Sequence, residues 1–283
     1  MAKAKSLAQS RGFRPKKRLG QHFLNDPAII DKMIARAGFD PSCTVLEIGS
    51  GLGALTLPLA RSVQHVLAVE KDRQLVAVLQ KNLYASGIHN VTPITGDILR
   101  LDFAALDLPA GQTFQVLGNL PFNISSPVLE KLVLNRNLVS RAVLTFQREL
   151  ARRLMATPGN KEYGAMTVLV QYHARVSPLL EIAKEAFYPK PKVGSMVLEL
   201  DFTRPHPNRA KDEKHFKRVV KAAFAHRRKT LLNCLKGAEA LPTPNILHAL
   251  ERCGIEPGKR AETLNIDDFL CLSASLLIHH QKK

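Results

Sequence analysis

The sequence predicts an α/β fold: a mostly parallel sheet of seven strands, followed by a small all-α C-terminal module. Three observations predict it. Apolar runs of strand length alternate with stretches of helical periodicity between Thr44 and Leu200. Several of those strands run straight into a glycine or a polar residue, the position where open α/β sheets bind ligands. Beyond about residue 204 the strand pattern stops and only helical spacing remains. The expected organisation is a basic flexible tail at 1–18, an α/β domain at 19–203 and a helical domain at 204–283.

The elements follow in order. Asn25 or Asp26 caps a helix with Pro27 at its first position, and Ile29, Ile30, Met33 and Ile34 give its apolar stripe before Gly38 ends it. Thr44–Ile48 is a strand that enters Gly49-Ser50-Gly51-Leu52-Gly53 and then a helix through Ala60. Strand, glycine loop and helix form a nucleotide-binding first turn, because glycine lets backbone approach a ligand where a Cβ would clash. The spacing departs from the dinucleotide pattern G-x-G-x-x-G, and no second mononucleotide half follows, which argues against NAD. His65–Val69 is a second strand ending in Glu70, whose carboxylate suits the two hydroxyls of a ribose. A helix over 72–85 follows. The third strand, Val91–Thr95, leads to Asp97, an acceptor for the exocyclic amine of an adenine. The fourth, 114–118, delivers Asn119-Leu120-Pro121-Phe122. Ser125 or Ser126 is the expected cap of a helix over 126–135, with Pro127 in its first turn. A strand at 142–146, helices at 147–155 and 165–173, and strands at 175–182 and 195–202 complete the domain.

Asn119-Leu120-Pro121-Phe122 carries the chemistry. The Asn119 side-chain oxygen and the Leu120 C=O can accept the two N–H groups of an aromatic amine and free its lone pair for attack. Pro121 fixes the loop, and Phe122 offers a face on which a base stacks, a contact contributing roughly 1–3 kcal/mol. The same four residues also suit a structural turn. Between the last two strands, Phe187-Tyr188-Pro189-Lys190-Pro191-Lys192 sets aromatics beside lysines on a stiff loop. This suits a base and its phosphates; a structural proline loop with a buried Phe187 fits the composition equally.

Charge separates the ends from the middle. The chain has 283 residues and a net charge of +17: +7 over residues 1–21, +2 over 22–203 and +8 over 204–283. That distribution points to a polyanion gripped by the flanks. In the C-terminal part Lys214, Lys217, Arg218 and Lys221 oppose an apolar stripe, and Arg227-Arg228-Lys229 follows. These are candidate phosphate contacts, with a plain solvated face as the alternative. No apolar run reaches the ~18–20 residues of a membrane span, and the basic N-terminus lacks a signal-peptide core. Cys43, Cys234, Cys253 and Cys271 lie far apart without a CxxC pair, which argues against a zinc site or a disulfide framework and fits the cytoplasm.

Three segments together match a known family: Lys17-Arg18-Leu19-Gly20-Gln21-His22-Phe23-Leu24, Glu47-Ile48-Gly49-Ser50-Gly51-Leu52-Gly53-Ala54-Leu55-Thr56, and Gly118-Asn119-Leu120-Pro121-Phe122-Asn123-Ile124-Ser125. Tyr163-Gly164, Phe187–Val193 and Arg227-Arg228-Lys229-Thr230 extend the match. The chain resembles the bacterial small-subunit rRNA adenine dimethyltransferases, relatives of the antibiotic-resistance rRNA adenine methylases. The resemblance implies a Rossmann-like, class I methyltransferase core and S-adenosylmethionine as cofactor, with no metal. It implies dimethylation at N6 of two adjacent adenosines in the 3′-terminal hairpin of small-subunit (16S) rRNA, with a role in small-subunit maturation. The implied partner is the immature small subunit, and the implied state is a monomer. By the family pattern His22, Leu24, Gly49, Gly51, Glu70, Asp97 and Asn119 contact the cofactor, and Asn119, Leu120, Pro121 and Phe122 form the catalytic loop. Phe187 and Arg227, Arg228 and Lys229 contact the substrate. The sequence departs from the pattern at His22, where asparagine is frequent, at Phe122, where tyrosine is frequent, and at Ser50, where proline is common.

Overall fold

The structure, a computed structural model, describes residues 15–16, 19–106, 112–238 and 242–280. Apart from Pro15 and Lys16, the expected tail at 1–18 lies outside the described residues. The chain divides into two compact units, Met1–Ala151 with Val176–Thr203 and Arg152–Arg175 with Arg204–Lys283. Residues 152–175, which sequence placed with the α/β domain, therefore belong to the second unit. Their apolar residues Tyr163, Val168 and Tyr172 pack with Phe216, Val219 and Leu231, an association that helical periodicity alone does not reveal.

Among the described residues the first unit holds nine strands, joined by helices of which the one at Ala165–His173 lies in the second unit. In chain order they are β1 (Phe23–Leu24), α1 (Pro27–Ala37), β2 (Thr44–Ile48), α2 (Thr56–Ala60), β3 (His65–Glu70), α3 (Arg73–Ala85), β4 (Val91–Thr95), β5 (Phe114–Asn119), α4 (Ser125–Leu134) and β6 (Val139–Gln147). After α5 (Arg148–Leu154) and α6 (Ala165–His173) come β7 (Arg175–Ile182), β8 (Phe187–Tyr188) and β9 (Ser195–Asp201). Seven strands form one sheet in the order β4-β3-β2-β5-β6-β9-β7. β2, β3, β4, β5 and β6 pair in parallel, and β9 runs antiparallel to β6. β1 and β8 form a separate antiparallel pair, Phe23 with Tyr188 and Leu24 with Phe187.

Burial explains the strand sequences. A parallel strand covered on both faces reads as a continuous apolar run, and Val45, Leu46, Val66, Ala68, Val116 and Leu117 are all within 0% exposure. Ile30 and Met33 of α1 pack on the face formed by Val45, Val66, Leu117, Val143 and Val197. Cutting one such side chain to alanine costs about 2–5 kcal/mol. Asp26 caps α1 by accepting from the N–H groups of Ala28 (3.0 Å) and Ile29 (3.4 Å). Gly38 ends it in the left-handed region at φ 53°, with its N–H on Ile34 O.

One expected cap is absent. Helix α4 begins at Ser125 directly after a 3-10 turn, Phe122–Ile124, with Ile124 in the cap position and no side-chain cap bond. The Ile124 N–H bonds Pro121 O at 3.1 Å, so the chain is already turning before the serines, and Ser125 Oγ is buried without a partner among the described residues.

The second unit continues with α7 (Glu213–Ala223), α8 (Leu231–Ala238), α9 (Thr243–Arg252) and α10 (Ile266–His280). Asp212 caps α7, and Phe216, Val219, Phe269, Leu272 and Leu276 share its apolar core. The sequence argues against a disulfide framework, yet Cys253 and Cys271 form one disulfide, with Cα atoms 5.8 Å apart. They are 18 residues apart in sequence. The end of α9 returns to α10, and that proximity is a product of helix packing, which sequence spacing does not show.

Candidate active site

The carboxyl ends of β2, β3 and β5 enclose a cavity of about 180 Å³ lined by Ile48, Gly49, Gly51, Val69, Glu70, Asp97, Ile98, Asn119, Leu120 and Pro121. Leu19, Gly20, Gln21, His22 and Phe23 close it from the N-terminal side. A second cavity, about 550 Å³, is lined by Phe122, Gln147, Tyr188, Pro189, Lys190, Pro191 and Lys192. Gly20, Gln21 and His22 line both, so this segment is the partition between them.

Each acidic residue of the first cavity is held by main-chain donors. Glu70 Oε2 accepts from Gly51 N–H (3.0 Å) and Oε1 from Asp72 N–H (2.8 Å), and the residue is 8% exposed. Burial pushes the Glu70 carboxyl above its ordinary value, against the pull of those N–H groups. Gly51 sits at φ 55°, and a Cβ there would lie 3.2 Å from the Phe23 ring, so the loop admits only glycine without a shift. Asp97 accepts from Lys71 Nζ (2.7 Å) and Leu99 N–H (3.0 Å). The Lys71 bond, with the other donors, holds Asp97 below the usual carboxylate range.

The partition is itself fastened. Lys16 Nζ pairs with Asp72 Oδ2 at 2.6 Å, and Lys16 N–H donates to Gln21 Oε1 at 2.8 Å. Burial would raise the Asp72 carboxyl, but the bonds from Lys16 and Gln74 N–H outweigh it and lower it. His22 Nδ1 bonds Pro189 O at 2.7 Å, and its ring stacks on Phe122 with centroids 5.6 Å apart. Asn119 Nδ2 donates to His22 O at 2.9 Å. That bond fixes the amide orientation and leaves Asn119 Oδ1 as an acceptor. No turn or loop N–H among the described residues bonds the Leu120 C=O.

His22, Gly49, Gly51, Glu70, Asp97, Asn119, Leu120 and Pro121 thus line the first cavity, and Phe122 the second. Two of the expected site residues line neither cavity. Leu24 is 3% exposed and packs in the core, and its β1 neighbour Phe23 lines the cavity instead. Phe187 is 4% exposed and packs in the same core; pairing with Leu24 turns its ring inward, so Tyr188, not Phe187, faces the cavity with Phe122. Arg227, Arg228 and Lys229 are exposed in the second unit, where Arg227 bonds Lys161 O and lies 4.0 Å from Glu262.

Sequence reading passed over Lys16, Lys71 and Gln147 as site residues, and it named Glu47 only within a motif. Gln147 carried a usable signal, since it is a polar residue at the carboxyl end of a strand, like Glu70 and Asn119. Glu47 is 1% exposed, with Oε2 unpartnered among the described residues, and burial pushes its carboxyl up to about 7. Among the described residues no group of three or more His, Cys, Asp or Glu is placed to hold a metal ion. No helix of the described residues is long and apolar enough to cross a membrane.

A cradle of glycines, a buried carboxylate and a second acid one strand further along fits a nucleoside-bearing cofactor. Asn119 lines the first cavity, and its amide is bonded to His22, a residue that lines both cavities. Comparison with known proteins agrees with this arrangement. A family model described as ribosomal RNA adenine dimethylase matches residues 12–277. A ribosomal RNA small subunit methyltransferase A from Desulforapulum autotrophicum is 42% identical over 275 residues, covering 97% of this chain and 96% of that protein. Its namesake from Geobacter sulfurreducens is 44% identical, covering 94% of this chain and 96% of its own length. The crystal structure of a dimethyladenosine transferase from Plasmodium falciparum matches with a TM-score of 0.73 at 27% identity, covering 92% of this chain and 98% of that one. The 23S rRNA methyltransferase ErmE shares the fold, with a TM-score of 0.68 over 90% of this chain and 99% of that one.

Proposed function

The chain belongs to the ribosomal RNA adenine dimethylase family, and from that premise we propose that it dimethylates N6 of two adjacent adenosines in the 3′-terminal hairpin of small-subunit rRNA. The reading extends to a monomeric, cytoplasmic enzyme that acts on the maturing small subunit, with S-adenosylmethionine as methyl donor. The observation that carries it is the Asn119 amide in the first cavity, oriented by its bond to the carbonyl of His22, which lines both cavities.

The residues of the first cavity fit the cofactor. The Glu70 carboxylate, oriented by backbone N–H groups, accepts the ribose hydroxyls, and Asp97 accepts the amine of the adenine. Gly49 and Gly51 let the backbone approach the amino-acid portion. S-adenosylmethionine supplies an electrophilic methyl carbon when bound. In the second cavity the target adenine, taken out of its stack, lies on Phe122. Asn119 Oδ1 and Leu120 C=O accept its two N–H groups, which draws the nitrogen toward tetrahedral geometry and frees its lone pair. The ring of His22 backs Phe122, and Pro121 holds the two acceptors at a fixed spacing. No base need remove a proton first, since the lone pair is the nucleophile and the proton leaves afterwards. The chain's contribution is positioning and water exclusion.

Arg227, Arg228 and Lys229 are proposed to grip rRNA phosphates. Each alanine substitution then reduces the salt slope of subunit binding by about one; an unchanged slope removes these residues from the interface. The deciding experiment is transfer of labelled methyl from S-adenosylmethionine to small subunits lacking the modification, with the product mapped. N6,N6-dimethyladenosine in the 3′-terminal hairpin supports the assignment. Label in large-subunit rRNA, or tight binding without transfer, overturns it.

A further inference from the structure

We propose that Gln147 reads the ring edge of the target adenine and thereby fixes its rotation in the site. The inference rests on the acceptor role given above to the second cavity. Gln147 is the last residue of β6, at the carboxyl end of the strand. Asn119 pairs with Thr145 across the parallel ladder, and Gln147 lies two residues further on. Successive side chains alternate between faces, so Asn119, Thr145 and Gln147 lie on the same face of the sheet. Gln147 also lines the cavity that contains Phe122 and Tyr188.

Three other polar groups of that wall are committed, while Lys192 lies on its exposed rim. His22 Nδ1 is held by Pro189 O, Gln21 Oε1 by Lys16 N–H, and Lys190 Nζ by Glu185 at 2.7 Å. The Gln147 carboxamide has no hydrogen-bond partner among the described residues. It carries two donors and an acceptor beside an aromatic face.

Stacking on Phe122 sets the plane of the base, and the two acceptors at Asn119 and Leu120 set the position and direction of the amine. All of that leverage lies at one end of the ring. A donor reaching a ring nitrogen beside the amine, N1 or N7, adds a second point and limits the swing that two short-armed hydrogen bonds leave. The Gln147 Nε2–H group is a donor of that kind, and carboxamide recognition of an adenine edge is a recurrent pairing. It also disfavours a base that presents an N–H at the same edge.

The test pairs enzyme and substrate changes. Wild-type protein and the Gln147→Leu variant are assayed on small subunits whose target positions carry adenosine, 1-deazaadenosine or 7-deazaadenosine. On adenosine the variant is expected to lose about tenfold to a hundredfold in kcat/KM, the worth of one good base-edge contact. S-adenosylhomocysteine affinity and Tm should stay unchanged. With one of the two deaza substrates the wild type should show the same loss, and the variant should lose nothing more. That wild-type comparison needs no folded variant. An equal loss on all three substrates, or none on any, overturns the role of Gln147 while leaving the reaction intact. If the wild type methylates none of them, the function reading fails and this inference with it.

Discussion

The two cavities of the first unit are built by different means. On the cofactor side, acceptors are locked: Glu70 is bonded by two backbone N–H groups and Asp97 by a backbone N–H and Lys71. On the other side, the residues proposed to meet the base are aromatic faces and a carboxamide without a hydrogen bond among the described residues, carried by a loop and a strand end. The locked side is part of the folded structure, so changing it disturbs stability together with binding. On the open side Phe122 and Gln147 make their polar and stacking contacts to the base only when substrate arrives, so changing these two should disturb reaction with substrate and leave stability intact. Asn119 belongs to the first cavity and shares in both designs: its amide nitrogen is bonded to His22 O, and its oxygen has no hydrogen bond among the described residues.

Four substitutions break or sharpen that contrast. The largest effect belongs to Asn119→Ala, which should lower kcat about 10²–10³-fold, the scale of removing one preorganised polar group. Subunit affinity should not change, and comparable losses in both measurements make Asn119 structural. Next is Glu47→Gln beneath the glycine loop. The Glu47 carboxyl titrates near 7 in the fold against an ordinary 4.5, so the folded protein keeps a proton that the unfolded chain has released. Its cost to stability is nil below about pH 4.5, grows as pH rises toward 7 and reaches roughly 3 kcal/mol above that. Calorimetric scans should therefore show the variant gaining Tm over the wild type from pH 5 to pH 8; a constant gap refutes the buried acid.

Glu70→Ala comes third. It leaves the Gly51 and Asp72 N–H groups without their acceptor, at about 1–3 kcal/mol for each buried donor. Titration calorimetry with S-adenosylhomocysteine and thermal melts should register weaker binding and lower stability together. Weaker binding at an unchanged Tm shows that the cofactor side is no more rigid than the other. Phe122→Leu is the smallest. Loss of one stacked base contributes roughly 1–3 kcal/mol to kcat/KM, with cofactor affinity and Tm unaltered. A drop in Tm places Phe122 with the structural residues.

The locked side was the more legible in sequence. A polar residue at the end of an apolar run marks a strand tip, and Glu70, Asp97 and Asn119 were found in that way. The open side was less so, because it depends on which way a side chain turns. Phe187 and Tyr188 are adjacent aromatics with similar sequence surroundings. Only the pairing with β1 decides that Phe187 enters the core and Tyr188 the cavity. Leu24 and Phe23 exchange roles for the same reason. The serines before α4 looked like caps because their spacing was right, whereas Pro121 had already started the turn. Residues 152–175 follow their neighbours in sequence but pack with helices that come much later.

The pairing of β1 with β8 also has a consequence for biosynthesis. His22 meets its partner Pro189 across 167 residues, and Asn119 meets His22 across 97. A chain leaving the ribosome makes its neighbouring strands first, and contacts this distant in sequence form late because their loops must close. The wall between the cavities therefore has to wait for Pro189 to emerge. A nascent chain stalled before that point has the glycine loop and its acids, and it lacks the compartment in which a base is presented to them.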